Sequence, residues 1–115
     1  MGIFEFPFIE LPAGVEALRG EVRAFLREQL KDRPVEARAR SWTGVDYDFT
    51  RKVAQKGWVG MALPKSYGGQ DKSILERYVV VEELLAAGAP VAAYWAADRQ
   101  IGPLILRYGT DEQKQ

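Results

Sequence analysis

Residues 73–87 read Ser-Ile-Leu-Glu-Arg-Tyr-Val-Val-Val-Glu-Glu-Leu-Leu-Ala-Ala, and their conformation decides the fold. Ser73 and Glu76 stand at the spacing of a capping box. The serine oxygen accepts from the Glu76 backbone N–H, and the glutamate reaches back to the serine N–H. Gly88, free to take a left-handed conformation, follows the stretch, and Pro90 comes soon after. Tyr78-Val79-Val80-Val81 pulls the other way, because a β-branched run alone reads as a strand. Leu-Glu-Arg before it and Glu-Glu-Leu-Leu-Ala-Ala after it are strong helix formers, so the whole predicts a helix. On a helical wheel Glu76 and Glu83 share one narrow stripe. Ile74, Tyr78, Val81 and Leu85 form a broad apolar face, and Leu75, Val79 and Ala86 form a second. Such a helix is expected to be enclosed by neighbours on several sides. Glu76, Glu82 and Glu83 read as ordinary helix-surface carboxylates rather than a catalytic base.

Composition narrows the possible chemistry. A chain of 115 residues suffices for one domain, and 47% hydrophobic content suffices for a core. Lysine plus arginine equals aspartate plus glutamate at 16 each, for a net charge of zero. A dedicated nucleic-acid binder needs a basic excess, so no nucleic-acid partner is expected. No apolar run approaches the ~20 residues that span a bilayer. Residues 1–8 lack the basic region of a cleavable signal peptide, and a cytoplasmic location is expected. The sequence has neither cysteine nor histidine. Disulfides, thiolate nucleophiles, Ser-His-Asp triads and His- or Cys-ligated metals are therefore excluded within this chain.

Outward from the central stretch, residues 12–31 predict an outer helix. Pro12 suits its first turn, and Val15, Leu18, Val22, Phe25, Leu26 and Leu30 fall on its inner face. Residues 1–11 read as irregular, with apolar Ile3, Phe4, Phe6, Phe8 and Ile9. Residues 35–44 read as an arginine-rich polar loop in preference to a short helix, with Trp42 anchored to the body; the arginines of 33–40 read as solvated in preference to an ionic contact with a partner domain. Asp46 or Asp48 can cap a helix running to Lys56, with Phe49 and Val53 facing inward. In residues 57–69 two glycine clusters and Pro64 forbid a regular helix. Val59, Met61 and Leu63 alternate like a short extended piece, but no partner strand exists and no sheet is inferred. Beyond the central helix, residues 90–98 predict a helix of small residues plus Tyr94 and Trp95. Gly102-Pro103 is expected to interrupt it before a piece at 104–108. Thr110 to Gln113 then forms a second capping box, and a longer natural chain is expected beyond it. The fold class is all-α, an orthogonal helical bundle.

Several motifs carry a resemblance. Gly-Trp-Val-Gly-Met-Ala-Leu-Pro-Lys-Ser-Tyr-Gly-Gly at 57–69 resembles the hallmark loop of the acyl-CoA dehydrogenase family. Val-Glu-Glu-Leu-Leu-Ala-Ala-Gly at 81–88 and Tyr-Gly-Thr-Asp-Glu-Gln-Lys at 108–114 match it in the same order. Ala17-Leu18-Arg19 through Leu26 resembles its first helix. The resemblance covers residues 12–115 and implies the family's N-terminal all-α domain, without its middle β domain and C-terminal four-helix domain. It further implies a parent that oxidises an acyl-CoA thioester to the 2,3-enoyl-CoA with FAD, the α proton going to a glutamate in the C-terminal domain. FAD is not expected on this chain alone, which has no catalytic residue, no G-x-G-x-x-G and no P-loop.

The implied partners are the acyl-CoA substrate, the remaining domains of the parent, a homo- or hetero-oligomer, and an electron-transfer flavoprotein as acceptor. The resemblance also implies that the helix after the central one walls the acyl end of the substrate pocket. Ala92, Trp95, Ala96 and Arg99 share a helical face by spacing and are the candidate substrate-binding residues. Tyr94 and Trp95 read equally as core packing. Arg99 reads first as a partner for Asp98 or another surface acid, and Tyr67 as a structural anchor. The alternatives are a free-standing helical interaction module, or the same domain of an acyl-CoA oxidase or flavin monooxygenase.

Overall fold

The structure is a computed structural model that describes residues 6–7 and 9–115. Of the apolar N-terminal residues, Ile3, Phe4 and Phe8 lie outside the described ones, while Phe6 and Ile9 are exposed. The fold is an all-α bundle with no strand among the described residues. Helix α1 spans Ala13–Gln29, α2 Val35–Ala39, α3 Tyr47–Gln55 and α4 Ile74–Ala86. A continuous helical run follows, composed of α5 (Ala92–Trp95), a π-helical turn (Ala96–Ile101) and α6 (Gly102–Tyr108); α7 (Asp111–Lys114) closes the chain.

Helix α4 forms as its sequence predicts. The Ser73 hydroxyl oxygen accepts from the Glu76 N–H at 3.1 Å, and the Glu76 carboxylate accepts from the Ser73 N–H at 2.8 Å. Gly88 ends the helix at φ +70°. Its packing differs from expectation. The buried residues are Val79, Val80, Glu83 and Leu84, whereas Ile74 is 70% exposed and Tyr78 49%. A 13-residue helix presents one stripe to α1, its most extensive partner. The face carrying Ile74, Tyr78 and Leu85 is left outward, so α4 is enclosed on one side rather than several.

The core joins Val22, Leu26 and Leu30 from the first helix to Phe49 and Val53 of α3, Val80 and Leu84 of α4, and Tyr94 of α5. Trp58 and Met61 fill the space between them, with Phe25 edge-on to Trp58 at 5.2 Å. Asp46 caps α3 by accepting from the Phe49 N–H at 2.9 Å. Residues 57–69 form turns and one 3-10 turn, Lys65–Tyr67, with no extended piece. Their chain doubles back so tightly that a Cβ on Gly69 would stand 1.9 Å from the Leu63 carbonyl oxygen.

Two connections depart from the sequence reading. Residues 35–39 are a helix, not a loop: Pro34 precedes it in an extended conformation and Glu36 occupies its first turn. Glu-Ala-Arg-Ala is a run of helix formers, which outweighs the polarity that suggested a loop. The arginines of residues 33–40 are not all solvated. Arg38 donates to the Leu30 carbonyl at the end of α1, and Arg33 pairs with Asp46 at 3.3 Å. Gly102-Pro103 does not interrupt the next helix either. Proline lacks an N–H and its ring collides with the carbonyl four residues back in a regular α-helix. The wider π turn lies just before the proline, the Gly102 N–H donating to the Ala97 carbonyl five residues back. It also draws the Ala97 carbonyl to within 2.7 Å of where a Gly102 Cβ would lie, so glycine is needed there.

Candidate functional site

The four expected wall residues lie where α5 passes into the π turn. Ala92, Trp95 and Ala96 are half-buried and Arg99 is exposed. The structure brings Trp95 and Arg99 together: the guanidinium lies 5.2 Å from the indole centre, within range of a cation–π contact. Trp42 also packs on Trp95, the ring centres 4.4 Å apart and the planes tilted by 57°. It is therefore an anchor as expected, although 53% exposed. The loop that carries it is fixed to the start of α5: the Val91 N–H donates to the Ser41 carbonyl at 3.1 Å and the Ala92 N–H to the Gly44 carbonyl at 3.1 Å.

Arg99 also borders a groove of about 310 Å3 whose other lining residues are Ala62, Leu63, Ile74, Arg77, Asp98 and Pro103. Ala92, Trp95 and Ala96 do not line it. Tyr94 turns inward and is part of the core. Its hydroxyl finds no hydrogen-bond partner, and burial, then the negative charge of Asp98, push the phenol well above its ordinary range. Tyr67 is 42% exposed and borders a groove with Leu63 and Ile105.

Asp98 was the residue whose role the sequence concealed. It does not pair with Arg99. It is 3% exposed, and its carboxylate accepts from Arg77 of α4 at 2.6 and 2.7 Å and from the Gly60 N–H at 2.8 Å. An aspartate in a run of small residues, with one arginine as the lone cation of α4, was the available signal.

The central glutamates are engaged as well. Glu83 is buried, contrary to expectation, and pairs with Arg19 at 2.6 Å and Arg23 at 2.8 Å. Arg23 foremost holds its carboxyl below the usual carboxylate range. Glu82 accepts from Arg19 and from the Tyr78 hydroxyl, and Arg19 foremost lowers it too. Glu76 is lowered chiefly by the Ser73 N–H it accepts from. No group of three acidic or other ligand-type side chains that could hold a metal occurs among the described residues, and no described helix is long and apolar enough to cross a membrane.

The described residues thus form an all-α bundle in which Trp42, Trp95 and Arg99 lie together and Glu76, Glu82 and Glu83 of the central helix all hold hydrogen-bond partners within the chain. Residues 13–115 match the family described as "Acyl-CoA dehydrogenase, N-terminal domain", and the chain belongs to that family. It is 33% identical over 105 residues to acyl-CoA dehydrogenase FadE26 of Mycobacterium tuberculosis, covering 87% of this chain and 26% of that protein. It is 34% identical over 79 residues to 3-sulfinopropanoyl-CoA desulfinase of Cupriavidus necator, covering 67% of this chain and 18% of that one. Among solved structures it is similar to the Tcur3481-Tcur3483 steroid ACAD, with a TM-score of 0.75 and 34% identity over 94% of this chain and 28% of that chain. The ChsE4-ChsE5 complex from Mycobacterium tuberculosis gives a TM-score of 0.71 and 32% identity, over 94% and 27% of the respective chains. The chain thus spans about a quarter of the length of FadE26.

Proposed function

We propose that this chain is the N-terminal helical domain of an FAD-dependent acyl-CoA dehydrogenase-like oxidoreductase that acts on the CH–CH group of acyl-CoA thioesters. Its contribution is the acyl-pocket wall, made by Ala92, Trp95, Ala96 and Arg99. The observation that supports this most is the family match over residues 13–115. The chemistry of the wall agrees with it. Two methyl groups, an indole and the stem of an arginine suit an apolar acyl tail. One structural neighbour is described as a steroid ACAD, and a ring-bearing acyl group lying on Trp95 beside the two alanines is the substrate class we favour.

The chain's own carboxylates favour a supporting role. Glu76, Glu82, Glu83 and Asp98 all accept hydrogen bonds or ion pairs within the chain. A base for the α proton is therefore assigned to another domain of the parent. FAD, which supplies hydride acceptance when bound, finds a poor match here. The wall offers methyls, an indole and a cation. Exposed Ile74 and Tyr78 on α4 and Leu104 and Tyr108 on α6 suit contact with the remaining domains and with partner subunits. An electron-transfer flavoprotein as acceptor and a cytoplasmic setting complete the reading.

The test is made on the complete parent enzyme. Butanoyl-CoA, octanoyl-CoA and 3-cyclohexylpropanoyl-CoA are each added under anaerobic conditions, and bleaching of the flavin absorbance is followed. Bleaching by at least one thioester, with a changed preference in Trp95→Ala, is the expected result. No bleaching by any of them, or an unaltered preference in the variant, overturns the reading.

A further inference from the structure

We propose that Asp98 and Arg77 are positioning residues for the substrate. Their buried ion pair joins the three walls of the groove beside Arg99 and so sets which acyl group is admitted. The inference rests on the pocket-wall reading above and deepens it.

The geometry starts at the carboxylate. One Asp98 oxygen accepts from the Gly60 N–H at 2.8 Å, and the other from Arg77 Nε and Nη2 at 2.7 and 2.6 Å. Each partner belongs to a different wall. Gly60 lies in the loop that supplies Ala62 and Leu63. Arg77 lies one turn after Ile74 on α4. Asp98 itself precedes Arg99 in the π turn. A single side chain thus ties the loop, α4 and the π turn around one groove.

Stability alone is a weak reason for such a pair. Removing two charges from water is costly, and well-packed apolar residues of similar volume often serve a fold as well or better. What the pair supplies that apolar residues cannot is direction: fixed donors and an acceptor at set angles. The π turn points the same way, because such turns are uncommon and recur at functional sites. Here it sits on the residues that carry the carboxylate and the wall guanidinium. Arg99 belongs to both features, since it touches the Trp95 ring and borders the groove. A shift in Asp98 therefore moves the surface on which an acyl tail rests, and displacements near 1 Å at a binding site cost up to about a hundredfold in rate.

The experiment uses the complete parent enzyme with flavin bound. Asp98→Asn and the apolar double variant Arg77→Met/Asp98→Leu are compared with wild type. The readouts are flavin content, thermal midpoint, and kcat and KM for the same three acyl-CoA thioesters with an artificial electron acceptor. The expected result is a kcat within about twofold of wild type for the best substrate, a KM raised about tenfold, and a loss of about tenfold in the kcat/KM ratio between the ring-bearing and linear substrates. The double variant is expected to keep its flavin and its thermal midpoint while losing discrimination. An unchanged ratio in the double variant overturns the proposal. So does a parallel fall of flavin content, thermal midpoint and kcat in both variants, which would make the pair purely structural. Trp95→Ala separates the two readings: if it leaves KM and preference untouched, the wall assignment fails, whatever Asp98 does.

Discussion

Glu83 is a carboxylate on the buried stripe of a helix that otherwise presents valine and leucine to the core. Arg19 and Arg23, four apart and so on one face of α1, meet it from across the helix pair. Its buried side chain makes the loss of charge expensive. Glu83→Gln is expected to destabilise the chain by about 1–3 kcal/mol, because Arg19 keeps Glu16 and Glu82 and water reaches the exposed Arg23. Chemical denaturation measures it. The pH dependence has a definite sign. Glu76, Glu82 and Glu83 all have lowered folded-state values. Their stabilisation is present above the ordinary carboxylate pKa of about 4.3 and is lost as pH falls through the lower folded values. A thermal midpoint that falls below about pH 4, less steeply in Glu83→Gln, is expected. The sequence showed the glutamates but not their partners, since an ion pair between residues 19 and 83 is a tertiary fact with no local signature. The same holds for Asp98 and Arg77.

At the scale of the element, short-range chemistry was readable and the choice of face was not. Both capping boxes, the Asp46 cap and the left-handed Gly88 form as read because each involves groups within a few residues of one another. Ser73→Ala is expected to cost about 1 kcal/mol, read by urea denaturation. Which apolar stripe of α4 turns inward depended on where α1 lies, and the wheel offered more than one. Leu84 is on the stripe that won, so Leu84→Ala is expected to cost about 2–5 kcal/mol, whereas Ile74→Ala should cost under 1 kcal/mol. On α1, a Cβ at Gly20 would meet nothing within 4 Å. Gly20→Ala is therefore expected to stabilise the chain by up to about 1 kcal/mol, seen as a raised thermal midpoint. The helix through residues 92–108 was misread because Gly-Pro ordinarily stops a helix, and nothing local announces a π turn that absorbs it.

For the whole molecule, the absence of cysteine and histidine was the most informative property of the sequence, because it removed most catalytic chemistry before any fold was known. The all-α class and the family followed from motifs in register. The arrangement around Trp95 and Arg99 did not, since the Trp42–Trp95 contact and the groove at Arg99 depend on segments brought together from four parts of the chain. The 115-residue chain, equilibrated with FAD and desalted, is expected to emerge colourless. A retained flavin spectrum would contradict the supporting role. The π turn has one more effect. It contributes a surplus residue to an otherwise regular coil, and so acts as an angular offset. Excising exposed Gln100 would restore ordinary winding and swing everything from Gly102 onward by roughly 100° about the axis. Leu104 and Tyr108 would then face a new quarter of the molecule, as though the C-terminal helix had been unscrewed by a little over a quarter of a turn.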